Sequence, residues 1–174
     1  SLPIERGLAV GNGSLVAAIQ SATGVEPVSA GKPEPAMFTF AAKQIGAKKP
    51  LAVGDRLDTD IAGGNSAAMD TFHVLTGVSG ELELIEAPVE SRPNFIGAGM
   101  HELALPVSVA RPGAQGGFTA RCDDHDLLLE GGDEKSTSVQ ALRTVLEVAW
   151  AMPSPPRYIQ PRSERAEKVV AQWR

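Results

Sequence analysis

Leu51-Ala52-Val53-Gly54-Asp55-Arg56-Leu57-Asp58-Thr59-Asp60 is a short apolar run that turns at a glycine and ends in three carboxylates. Apolar residues in succession, without alternation, are the pattern of a strand buried on both faces of a parallel sheet. In open α/β sheets ligands bind beyond the carboxyl ends of the strands, and Asp55 falls there, one residue past Gly54. Gly54 is expected to let the backbone turn sharply. Carboxylates gathered in one loop repel each other unless a cation neutralises them. Oxygen donors on a small loop suit Mg2+, which takes few carboxylates and keeps several waters. A plainer reading stands beside this one: Asp60 caps the next helix, and Asp55 and Asp58 are solvated turn residues.

Upstream, Gly31-Lys32-Pro33 precedes a helix predicted over 34–45, with Met37, Phe38, Ala41, Ala42 and Ile45 on one face and Gly46 after it. An ammonium beside a helix N-terminus favours an anion, although a lysine in such a turn is by itself a surface residue. A P-loop is excluded, because Pro33 stands where Ser or Thr is needed and the glycine spacing is wrong. Downstream, a helix is expected over 60–69, weakened by Gly63 and Gly64, and a second apolar strand over 71–75. Helix, strand, helix, strand with short connections predicts an α/β fold with a parallel sheet.

Further out, Leu8-Ala9-Val10 reads as a strand, Gly11-Asn12-Gly13 as a turn, and 14–23 as a helix capped by Ser14. Residues 94–96 are a candidate last strand, and 106–117, rich in Pro and Gly, a linker. Beyond it the pattern gives a hairpin over 118–122 and 126–130, a helix opened by Ser136, a proline-rich loop, and a last helix over 163–173. His73 on an apolar strand reads as a packed core histidine, and Trp150 and Trp173 as core packing. Cys122 reads as a small half-buried residue.

Gly31-Lys32-Pro33, the Gly54–Asp60 run and the stretch 71–79 together resemble the haloacid dehalogenase-like (HAD) phosphatases. The subclass they resemble includes p-nitrophenyl phosphatases, phosphoglycolate phosphatases and glycerol-3-phosphate phosphatases. Residues 8–14 resemble the exit from that subclass's large cap domain. The tail resembles, more loosely, an extra C-terminal domain of some actinobacterial glycerol-3-phosphate phosphatases. The resemblance implies a partial HAD-like (Rossmannoid) parallel sheet over 31–105, the end of a cap over 1–30, and a small α+β appendage over 118–174. It implies Lys32 as the lysine that neutralises phosphoryl charge, Asp55 as a Mg2+ ligand and Asp60 as the supporting acid. Asn12 and Arg56 become candidate substrate contacts. The partner it implies is a small phosphorylated metabolite such as glycerol 3-phosphate or 2-phosphoglycolate, and the subclass suggests a homodimer.

One part of the family pattern is not found. Its nucleophile is the first aspartate of an Asp-x-Asp motif on an early strand. Asp58-Thr59-Asp60 lies after the lysine, and Asp124-His125-Asp126 sits in a polar hairpin with no apolar strand before it. The expectation is therefore a C-terminal part of a larger phosphatase, inactive alone, whose nucleophile lies on an upstream segment. A non-catalytic binding or regulatory module is the alternative. A phosphorelay receiver would place its lysine after the aspartates, not before them.

Composition narrows the partners. The chain has 174 residues, 43% of them apolar, and a net charge of −5. That suffices for a core and, with no basic cluster, argues against nucleic acid. No apolar run approaches the roughly 20 residues that span a bilayer. A single cysteine excludes an internal disulfide, and a cytoplasmic protein is expected.

Overall fold

The computed structural model describes residues Leu2–Trp173 and divides the chain into two units, Ser1–Ala30 and Gly31–Arg174. The first unit is an antiparallel hairpin, β1 (Leu2–Ile4) with β2 (Gly7–Ala9), followed by helix α1 (Asn12–Thr23). The helix starts at Asn12, with Gly11 at the cap and no side chain bonded there, so Ser14 is not its cap. Gly24 ends it in the left-handed conformation at φ 70°. None of its residues is buried.

The second unit opens with α2 (Ala36–Gln44), closed by Gly46 at φ 63°. Of the predicted apolar face only Phe38 and Ala42 are partly covered; Met37, Ala41 and Ile45 are exposed and no residue of the helix is buried. Strands β3 (Leu51–Gly54), β4 (Asp70–Val74) and β5 (Phe95–Gly97) form a parallel sheet in that order, with β4 central. Gly54, His73 and Ile96 share one register row across it. Between β3 and β4 the chain makes a single π-turn over Leu57–Ile61 and then a short α3 (Ala62–Ser66), where one continuous helix is predicted. Helix α4 (Glu81–Glu86) crosses from β4 to β5. Gly63 and Gly64 have a packing role: a Cβ on Gly63 would meet the Phe38 ring at 2.6 Å, and one on Gly64 the Cβ of Ala52 at 2.7 Å.

Residues 106–117, expected as a linker, contain α5 (Val107–Ala110). Ala110 packs with Phe72, Val74 and Phe95 on one face of the sheet, and Arg111 lies 4.8 Å from the Phe95 ring centre. The hairpin follows, β6 (Phe118–Asp123) with β7 (Asp126–Gly131), turning at Asp124 with φ 56°. Helix α6 (Ser138–Ala149) begins with a reciprocal cap between Thr137 and Gln140, so Thr137, not Ser136, is its N-cap. A strand within the proline-rich segment, β8 (Ile159–Pro161), runs parallel to β7, and α7 (Glu164–Val170) ends the described chain, capped by Ser163.

The apolar faces of α6, β6 and β7 do not form a core of their own. Leu142, Leu146, Leu127 and Phe118 belong to one buried cluster with Leu57, Ile61, Leu84 and Ile96 of the 31–105 segment. Polar contacts cross the same seam. The Trp150 indole donates to the Leu84 carbonyl at 3.0 Å, and Arg92 donates to the carbonyls of Ala87 and Trp150. Arg143, 1% exposed, donates to the Ile96 carbonyl and pairs with Glu102. Leu75 N bonds Gly97 O from the β4 side, so the alternate Ile96 carbonyl faces outward. Arg143 thus covers the outer edge of β5.

Candidate active site

The carboxyl ends of β3 and β4 bring two loops together, residues 55–60 and 75–80. Asp55 follows the end of β3, and its Oδ2 accepts from the Val78 N–H at 2.8 Å. Its own carbonyl accepts from the Ser79 N–H at 3.0 Å. The Ser79 hydroxyl accepts from the Leu57 N–H at 3.2 Å, so Ser79 holds the backbone on both sides of Arg56. The approach is close enough to require glycine: a Cβ on Gly77 would lie 2.0 Å from Asp55 Oδ2.

Asp60 lies inside the π-turn, where the N–H groups of Asp60 and Ile61 both reach the Arg56 carbonyl. Its carboxylate is mostly buried and does not cap α3. Oδ1 accepts from Lys32 Nζ at 2.5 Å and Oδ2 from the Arg56 N–H at 3.2 Å. Gly54 makes the room, because a Cβ there would stand 2.2 Å from the Asp60 Cβ. Gly54 is not among the residues with positive φ, so what this position uses is the missing side chain. Lys32, half exposed, is thereby fixed at the site while its remaining N–H groups stay available.

Arg56 turns outward and holds Asp58 through two bonds, Nε to Oδ1 at 3.0 Å and a terminal nitrogen to Oδ2 at 2.6 Å. That hydrogen-bonded pairing lowers the Asp58 pKa below its usual value and raises that of Arg56. Both side chains are about half exposed, so the pair adds little stability. The three carboxylates therefore have different fates. The cations that neutralise Asp58 and Asp60 are the chain's own Arg56 and Lys32, where the sequence suggested one shared metal. Among the described residues no group of three His, Cys, Asp or Glu is placed to hold an ion. Asp55, oriented by Val78, fits as one oxygen donor to a small hard cation such as Mg2+, which takes few protein carboxylates and keeps several waters. Asn12 is the first residue of α1, in the unit Ser1–Ala30.

His73 is fully buried on β4, with Nε2 at 3.0 Å from the Ser79 carbonyl. The expected core histidine is present, with a polar partner that was not foreseen. Val78 and Ser79 were missed as well; the sequence signal for them is a glycine followed by a short polar residue just past a strand.

Residues 29–103 match the HAD-hydrolase-like family. This segment belongs to the HAD-like hydrolases. The D-glycerol 3-phosphate phosphatase of Mycobacterium tuberculosis is 39% identical over 184 residues, covering 99% of this chain and 52% of the relative. A crystal structure of glycerol phosphate phosphatase from the same organism, in complex with magnesium, superposes with a TM-score of 0.88 at 36% identity, over 99% of this chain and 52% of that one. The 4-nitrophenylphosphatase of Thermotoga maritima matches with a TM-score of 0.52 at 34% identity, over 61% of this chain and 41% of that one. The chain thus spans about half the length of its mycobacterial relative. Lys32, Asp55, Arg56 and Asp60 all lie within the family match. No helix among the described residues is long and apolar enough to cross a membrane.

Proposed function

We propose that this chain is the rear portion of a Mg2+-dependent phosphomonoester hydrolase that acts through an aspartyl-phosphate formed on an upstream segment. The substrate class is a small phosphorylated metabolite of the glycerol 3-phosphate or 2-phosphoglycolate type. The observation that carries the reading is the pairing of Lys32 with Asp60 beside Asp55, at the carboxyl end of the sheet. Asp55 would hold Mg2+ through one carboxylate oxygen, and the ion would supply positive charge against the phosphoryl oxygens. Lys32 presents a second positive charge, and Asp60 holds it in place before substrate arrives, so little reorganisation is needed during reaction. Arg56 contacts the substrate by exchanging Asp58 for a phosphate oxygen. Asn12 contacts it from residues 1–30, read as the end of the cap and the return to the core.

Residues 31–105 form the second half of the HAD-like core and 118–174 its appended part. Neither Asp-x-Asp run supplies the nucleophile. Asp58 and Asp60 are held by Arg56 and Lys32, and Asp126 is bound by Arg157 and Gln160. The proposal includes a cytoplasmic protein and a homodimer, the assembly that the resemblance to the subclass suggests.

The test is phosphate release from glycerol 3-phosphate and 2-phosphoglycolate with Mg2+. It compares these 174 residues alone with the same chain extended by the coding sequence upstream of Ser1. Turnover is expected only in the longer protein, and Lys32→Ala or Asp55→Asn should lower it by at least about 100-fold. Turnover by the shorter chain, or full activity in either variant, overturns the reading.

A further inference from the structure

Asp55 is oriented by the loop after β4. Val78 binds its carboxylate and Ser79 its backbone, so the carboxylate is only as fixed as residues 78 and 79 are. The buried side chain that reaches this loop from the sheet is His73, through the Ser79 carbonyl. A carbonyl oxygen can only accept, so Nε2 carries the ring proton and Nδ1 is bare. Nδ1 is buried with no hydrogen-bond partner. An apolar residue would fill this place without leaving a nitrogen unsatisfied, so the Nε2–H bond is what the histidine adds.

We propose that His73 is a positioning residue for the metal-binding carboxylate: its Nε2–H anchors the Ser79 carbonyl and thereby sets the Val78 N–H that orients Asp55. The proposal rests on the reading of Asp55 as a metal ligand. A ligating carboxylate is held by its own hydrogen-bond donors, and here that donor is a backbone N–H one residue from Ser79, whose carbonyl His73 binds. The placement of His73 in one register row with Gly54 ties the anchor to the same sheet that carries Asp55.

The experiment uses the 15N-labelled chain extended by the coding sequence upstream of Ser1, with Mn2+ as a paramagnetic stand-in for Mg2+. Broadening of the Val78 amide is followed against Mn2+ concentration in the wild type, Asp55→Asn, His73→Phe and His73→Gln. Broadening in the wild type and its loss in Asp55→Asn are expected. His73→Phe should weaken binding about tenfold, and His73→Gln, whose amide can still donate to Ser79, should restore most of it. Wild-type binding in His73→Phe, with Asp55→Asn silent, overturns the role of His73 and leaves the metal reading standing. Broadening that is absent in the wild type or unchanged in Asp55→Asn removes both. If His73→Phe does not fold, the ring nitrogen spectrum of the wild type decides. A proton on Nε2 supports the anchor, and a proton on Nδ1 overturns it.

Discussion

At the scale of single residues, Gly54 and Gly77 shape the site by what they lack. Gly54→Ala would drive a Cβ into the Asp60 Cβ, which is anchored at both carboxylate oxygens and cannot swing away. Denaturant unfolding should show a loss of about 1–3 kcal/mol, the usual cost of overpacking. An unchanged midpoint would mean that the π-turn yields. His73 adds a pH signature. Burial pushes its pKa below the ordinary 6.5, so the unfolded chain binds the proton more readily than the folded one. Stability is full above that value and falls as pH drops below it, towards the lower folded pKa. His73→Gln should flatten the thermal midpoint between about pH 7 and pH 5 relative to the wild type. The carboxylates were legible in the sequence because charge in a loop after an apolar strand is a local pattern, whereas Lys32 stood out only in combination with them. Their pairing was not legible, since Lys32 and Asp60 lie 28 positions apart and meet only when α2 returns to the sheet.

Among the elements, α6 combines two functions, covering the hairpin and closing the edge of β5. Arg143 sits at that junction with its side chain 1% exposed, beside a Glu102 side chain 11% exposed. Arg143→Met would leave the Ile96 carbonyl and a mostly buried carboxylate without their cation. Urea unfolding should register a loss of about 3–5 kcal/mol, with part recovered on adding Glu102→Gln. A loss below about 1 kcal/mol would mean that water enters the seam. Periodicity found α6, whose apolar residues recur at helical spacing, and the polar turn Asp123-Asp124-His125 between two runs marked the hairpin. Periodicity missed β8, where Pro161 argues for a loop. Proline is excluded from central strands but tolerated at an edge, and β8 is the edge strand beside β7. The predicted helix over 60–69 became a π-turn and a five-residue helix because Asp60 is pulled inward by Lys32 and the Arg56 N–H.

Over the whole of Gly31–Arg174, the shared core makes the HAD-like segment and the tail one cooperative body. Composition drew a boundary near 106–117 because Pro and Gly cluster there, and it could not register that apolar faces on both sides bury one another. Amide hydrogen exchange in β4 and in β7 should therefore report the same opening free energy at rising urea. A β7 that exchanges first, with β4 still protected, would show that the tail opens on its own. The seam also carries a natural optical gauge. Both tryptophans and the single tyrosine lie beyond residue 149, so nearly all the near-ultraviolet absorption of the chain belongs to the tail. Trp150 is bonded across the seam to Leu84, whereas Trp173 is bonded within the tail to Ser138. Parting the two segments would redden the emission of one indole and leave the other unchanged, with no label added.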